Sequence, residues 1–167
     1  MAKNISSLIG CLVFLAPPQM PSTTEWRGLS PLKSTRMDVE RTLGPPDQKI
    51  DNDQMTYYFS DVVVIFYFTS NPKCQQRLPY TSWDVAPGTV TAIDVRLKQP
   101  VLVAETGIDL TKLTKVKGDY DAPDHFYYVK SDDGFAVEVG KNYVMAYLYE
   151  PGSKQSNLRC AASGVIR

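Results

Sequence analysis

The sequence predicts an α+β protein: two tandem helix-β-β-β units forming one antiparallel sheet of about six strands, with short helices on one face. Three observations carry that expectation. Two helix-length segments, Arg36–Leu43 and 110–117, each follow a capping residue and each end at a glycine, Gly44 and Gly118, at the same interval. Each is followed by three runs of β-branched and aromatic residues. The whole chain has 167 residues, 43% hydrophobic and 22% charged, which suits one domain of ordinary size with a single core.

The elements follow in order. Residues 1–20 read as an export signal, with Lys3 ahead of an apolar run from Ile5 to Ala16 that is too short to span a bilayer. Residues 21–30 are a polar lead-in whose first residue seeking burial is Trp26, and residues 31–150 form the domain. Its first unit, about 31–98, opens with Thr35 and Asp38 as a variant capping box, and Met37, Val39 and Leu43 are expected to share the buried helix face. Gly44 and Pro45-Pro46 end the helix. Strands are expected over 56–59 and Val62–Phe68, joined at Ser60-Asp61, and over 90–97 after an insertion at 69–88. The second unit, about 107–150, repeats the plan. Asp109 caps a helix over 110–117, and strands are expected over 126–129, 135–139 and Tyr143–Tyr149. Neither helix can bury its apolar side alone, so the two units are expected to join their sheets.

Charge and cysteine usage narrow the setting. Eighteen Lys and Arg balance eighteen Asp and Glu, so the positive field that a nucleic-acid binder needs is missing and no nucleic-acid partner is expected. Leu8-Ile9-Gly10-Cys11 spells the box that precedes a lipidated cysteine, yet the most apolar stretch, 12–15, lies after it rather than before. With Cys11 removed, Cys74 and Cys160 remain, an even number suited to an oxidising compartment. A bridge between them would tether the polar tail, 151–167; two free thiols are the alternative. The expected location is the periplasm or the outer face of a bacterial membrane, with peripheral membrane association as a further option.

The run from Leu29 to Asp47, LSPLKSTRMDVERTLGPPD, followed by an aromatic strand, resembles the helix-to-strand signature of the SmpA/OmlA outer-membrane-assembly lipoproteins. It is also similar to the repeat of the β-lactamase-inhibitor-protein-like folds. The whole chain, with Leu158-Arg159-Cys160 near its end, resembles a family of uncharacterised exported bacterial proteins. These resemblances imply a binding role and supply no catalytic residue to carry over.

The residues themselves give little for catalysis. His125 is the one histidine, beside Asp124, and no Gly-x-Ser-x-Gly elbow, P-loop or dinucleotide fingerprint accompanies it, so it reads as a loop residue and no cofactor is expected. Two Cys and one His fall short of a zinc site. The acidic loops Asp47, Asp51, Asp53 and Asp119, Asp121, Asp124 lack the layout of a dedicated calcium loop and read as turns.

The last strand is more telling. Val144, Ala146 and Leu148 alternate with Tyr143, Met145, Tyr147 and Tyr149, which predicts an aliphatic face beneath the helices and a tyrosine-rich open face. Counting an unbroken pleat adds Tyr67, Asp94 and Arg96 to that open face. The candidate binding residues are therefore Tyr67, Arg96, Tyr143, Tyr147 and Tyr149, large or charged groups of the kind that dominate interfaces. The expected function is a non-catalytic exported interaction module, an accessory subunit of a membrane-associated envelope complex whose partner is another envelope or membrane protein. An inhibitor of a secreted hydrolase and a small hydrolytic enzyme are the rival readings.

Overall fold

The computed structural model describes residues 24–70, 74, 82–118 and 124–160. Residues 1–20, where an export signal is expected, with Cys11, and also Asp119, Asp121 and the last seven residues of the tail lie outside them. The described residues form one helix, α1 (Arg36–Leu43), and eight strands: β1 (Gln48–Ile50), β2 (Gln54–Tyr58), β3 (Val62–Phe68), β4 (Val90–Leu102), β5 (Thr114–Lys117), β6 (His125–Lys130), β7 (Phe135–Gly140) and β8 (Tyr143–Tyr149). All eight join one antiparallel sheet in the order β1-β2-β3-β4-β8-β7-β6-β5. Each half is a four-stranded meander, and the two meet along their last strands.

This corrects the α+β expectation of about six strands with helices on one face. The first helix forms as expected. Thr35 Oγ1 accepts the Asp38 backbone N–H, Asp38 accepts that of Thr35 at 2.8 Å, and Gly44 ends the helix at φ 83°. These hydrogen bonds, Thr35's first and Arg41's charge after them, hold the Asp38 carboxyl below its ordinary range. Only Val39 and Leu43 face the core, because Met37 is two residues off that stripe and is 70% exposed.

The second helix does not form. Asp109 caps as expected, its Oδ1 accepting from the Thr111 backbone N–H at 3.1 Å, but it starts only a 3-10 turn, Leu110–Lys112. Leu113 is already extended, and Thr114–Lys117 is β5. The segment Thr-Lys-Val-Lys alternates two β-branched residues with two lysines, a period of two that favours a strand over a helix. At the other end, β1 is a polar three-residue edge strand with no apolar run to announce it. These two edge strands bring the count to eight.

The core lies on one side of the sheet. Residues paired across an antiparallel ladder share a face, so Val64, Val95, Tyr147 and Val137 point one way with Phe66, Ile93, Tyr149 and Phe135 beside them. Val39, Leu43, Leu29, Trp26 and the 3-10 residue Leu110 pack onto this side. Fully burying each large apolar side chain contributes about 1.5–3 kcal/mol. Trp26 meets Phe59 at a tilt and Phe66 edge-on, at 5.8 and 6.0 Å between centroids, which fixes the start of the domain onto the first meander.

Cys74 and Cys160 are joined in a disulfide with Cα atoms 5.5 Å apart and a separation of 86 positions in sequence. Closing so long a loop contributes about 4–5 kcal/mol in the chain-entropy treatment. Beside the bridge the chain pairs with its own tail. Asp84 N–H donates to Leu158 O at 2.7 Å and Cys160 N–H to Ser82 O at 3.0 Å, with Trp83 opposite Arg159. The disulfide is consistent with an oxidising compartment. Among the described residues no helix is long and apolar enough to cross a membrane.

Candidate interaction face and its adjoining cavity

Opposite the core, the ladder registers lay out rows of side chains across the sheet. One row runs Tyr58, Val63, Arg96, Ala146, Glu138, Tyr127, and the next runs Thr56, Ile65, Asp94, Leu148, Ala136, Val129. Tyr67 lies one step further along β3, opposite Ala92. At the centre Arg96 Nε donates to Asp94 Oδ2 at 2.9 Å, and its NH2 group lies 2.8 Å from the same oxygen. Burial pushes the Asp94 carboxyl above its ordinary range; the Arg96 hydrogen bond and charge oppose this without overcoming it, and the Glu138 charge adds to it. The hydrogen bond to Asp94 raises the Arg96 guanidinium in turn.

Three of the five candidate binding residues share this face and two do not. Tyr67, Arg96 and Tyr143 are on it, whereas Tyr147 pairs with Val95 and Tyr149 with Ile93 on the core side. Tyr149 is 1% exposed, and burial with the neighbouring Tyr147 raises its phenol well above the ordinary value. This corrects the expected sides for residues 146–149: Ala146 and Leu148 face out, and Tyr147 and Tyr149 turn to the core. Val144 and Tyr143 nonetheless lie on their expected sides, because a bulge separates them from the rest of the strand. Arg96 pairs with Ala146 and Val101 with Val144, so β4 carries residues 97–100 where β8 carries Met145 alone. The register with β7 slips at the same point, between Glu138 and Val139. Past Met145 the pleat inverts, which puts Val144 in the core and Tyr143 on the open face.

The bulge opens a cavity of about 620 Å3 lined by Pro100, His125, Gly140, Tyr143 and Met145, with Asp124 and Lys141 also bordering it. A Cβ at Gly140 would sit in ordinary van der Waals contact, 3.6 Å from Met145 Cγ and 3.9 Å from the His125 ring, so the wall here is closely packed. His125 begins β6 rather than lying in a loop. Its partner is Glu138, with Nε2 2.6 Å from Oε1, and not the adjacent Asp124, whose carbonyl instead accepts the Lys141 N–H. The ring is edge-on to Tyr127 with centroids 5.7 Å apart. A histidine oriented by a carboxylate can exchange a proton, but no Ser, Thr or Cys is among the described residues lining the cavity. Sequence reasoning missed Glu138, Met145 and Pro100. Pro100 carried a signal, because proline inside a strand-like run marks an edge or a bulge.

In the first acidic loop two carboxylates serve the fold. Asp47 accepts the Tyr58 N–H at 2.7 Å, and buried Asp53 accepts from Ser70 Oγ at 3.3 Å. Among the described residues no three His, Cys, Asp or Glu side chains gather as metal ligands would. Comparison with known proteins yields no match: no family model, no curated protein and no solved structure matches the chain.

Proposed function

We propose that the chain is a non-catalytic exported interaction module, an accessory subunit that docks the open face of its sheet onto another protein of a bacterial membrane-associated envelope complex. The observation that carries this reading is the strip of partly exposed apolar and aromatic residues, Val63, Ile65, Tyr67, Leu148, Val129 and Tyr127, surrounding the Asp94–Arg96 pair. Aromatic anchors and arginine in an apolar surround are the groups that carry interface energy. The disulfide supports the exported setting, and the resemblance to the SmpA/OmlA assembly lipoproteins belongs to the same proposal. The rival readings, a hydrolase inhibitor and a small hydrolytic enzyme, have no residue set of their own among those described above.

A photo-crosslinking amino acid at Ile65, and separately at Met37 on the helix side, tests the reading in the native host. The expected result is a discrete crosslinked membrane-fraction product from Ile65 and none from Met37. Equal products from both positions, or none from Ile65 in a folded protein, overturn it.

A further inference from the structure

We propose that a second cavity, beneath the paired segments at Trp83 and Arg159, binds a small uncharged polyhydroxylated molecule about the size of one sugar ring. This site adjoins the interaction face proposed above and shares Val129 with it, while Ile65 lies outside its lining. Its volume is about 290 Å3, near the lower end of the roughly 300–1,000 Å3 typical of ligand pockets.

Its lining combines two kinds of surface. Trp83, Phe135, Val129 and Ala136 give apolar walls, and Thr91, Ser131, Ser156, Glu150 and Arg159 give hydrogen-bonding groups. A ring with C–H faces and hydroxyl edges matches both at once. The charges select for neutrality. Glu150 and Arg159 offset each other in the same cavity, so an anion would meet the carboxylate and a cation the guanidinium.

One hydroxyl in the lining lacks a hydrogen bond among the described residues. Thr91 is the extra residue of a bulge, because Phe68 pairs with Val90 and Tyr67 with Ala92, leaving Thr91 between them. It is fully buried, and its Oγ1 has no hydrogen-bond partner among the described residues. Leaving such a hydroxyl unpaired away from water is unfavourable. Glu150 also lines the cavity; burial raises its carboxyl and the Arg159 charge opposes that shift. A hydroxyl donor facing Glu150 and an acceptor facing Thr91 are both supplied by a polyol.

The chain has two tryptophans, so a full-length Trp26→Phe protein reports on Trp83 alone by fluorescence. Glucose, galactose, mannose and N-acetylglucosamine are each titrated into it, with isothermal titration calorimetry on the unaltered protein in parallel. The expected result is a saturable signal with at least one sugar, weakened about tenfold or more by Thr91→Val and also by Ser156→Ala, with circular dichroism unchanged. The proposal is overturned if no sugar gives a saturable signal, the cavity then holding water only. It is equally overturned if both folded variants bind as the parent does. Loss of sugar binding leaves the Ile65 crosslink intact, so the two proposals fail separately.

Discussion

The two halves of the sheet carry the same strand plan and are buttressed by different means. The first meander rests on α1 and the Trp26, Phe59 and Phe66 cluster. In the second, a 3-10 turn stands where α1 stands in the first. The turn between β6 and β7 is instead gripped by the chain that leaves β8: Glu150 N–H donates to Gly134 O at 2.6 Å, and Ser153 N–H donates to Ser131 O at 2.8 Å. One half is held by side-chain packing of a helix, the other by backbone approach so close that only glycine fits. The same strand plan therefore leaves the two halves sensitive to different substitutions.

Glycine replacement sharpens that contrast most. Gly134 has φ 69°, and a Cβ there would collide with the Glu150 carbonyl, whereas Gly44 at φ 83° has nothing within 4 Å of where its Cβ would sit. Gly134→Ala is expected to cost about 3 kcal/mol or more, through steric overlap added to backbone strain. Gly44→Ala should cost about 1–2 kcal/mol from the left-handed backbone alone. Urea unfolding midpoints measure both, and equal losses would break the comparison.

A smaller effect separates the two caps. Thr35→Ala removes half of a capping box from an eight-residue helix and is expected to cost about 1 kcal/mol. Asp109→Ala removes the cap of a three-residue 3-10 turn, which has little cooperative helix behind it, and should cost no more than about half as much. Thermal midpoints of the paired variants are the readout; a larger loss from Asp109→Ala would give the second half a helical nucleus after all.

The smallest expected effect is a pH dependence of opposite sign in the two halves. Burial raises the Glu150 carboxyl above its ordinary value. Its contribution to stability is then fully present below the unfolded-state pKa and is lost as pH rises through the raised folded value. Between about pH 4 and pH 8 the parent should therefore lose ground relative to Glu150→Gln, whose side chain does not titrate. Asp38 behaves with the opposite sign. Its carboxyl is held low by Thr35, so its contribution is present above the unfolded pKa and fades as pH falls through the folded one. Urea titrations across this range should resolve the Glu150 trend, and an unchanged difference between parent and Glu150→Gln would remove it.

Legibility in the sequence followed the range of the interactions. The helix Arg36–Leu43 and the strands Val62–Phe68 and Tyr143–Tyr149 coincide with their expected bounds, because capping residues, glycine stops and β-branched runs act within a few positions of themselves. The segment 110–117 misled because its cap and its terminal glycine match those of the first helix, while the alternation of Thr114 and Val116 with lysines decides the outcome. Face assignment failed at Met145 for a different reason. A one-residue slip inverts every side chain beyond it, and the slip is set by neighbours on β4 and β7 far away in sequence. The same slip produced the larger cavity, so the feature hardest to foresee is also the one that shapes the site. His125 shows the limit again: its neighbour in sequence, Asp124, is not its partner, and Glu138 is reached only across a ladder.

The strand order is the arrangement two copies of a four-stranded meander would make by pairing last strand to last strand. As separate molecules, such halves would meet at a rate set by their abundance and would drift apart on dilution. Carried on one chain, they meet at an effective concentration fixed by the short connection after β4. The assembled wall thus persists however scarce the protein becomes, and its two outermost strands, three and four residues long with lysines on both, give a further copy little to extend.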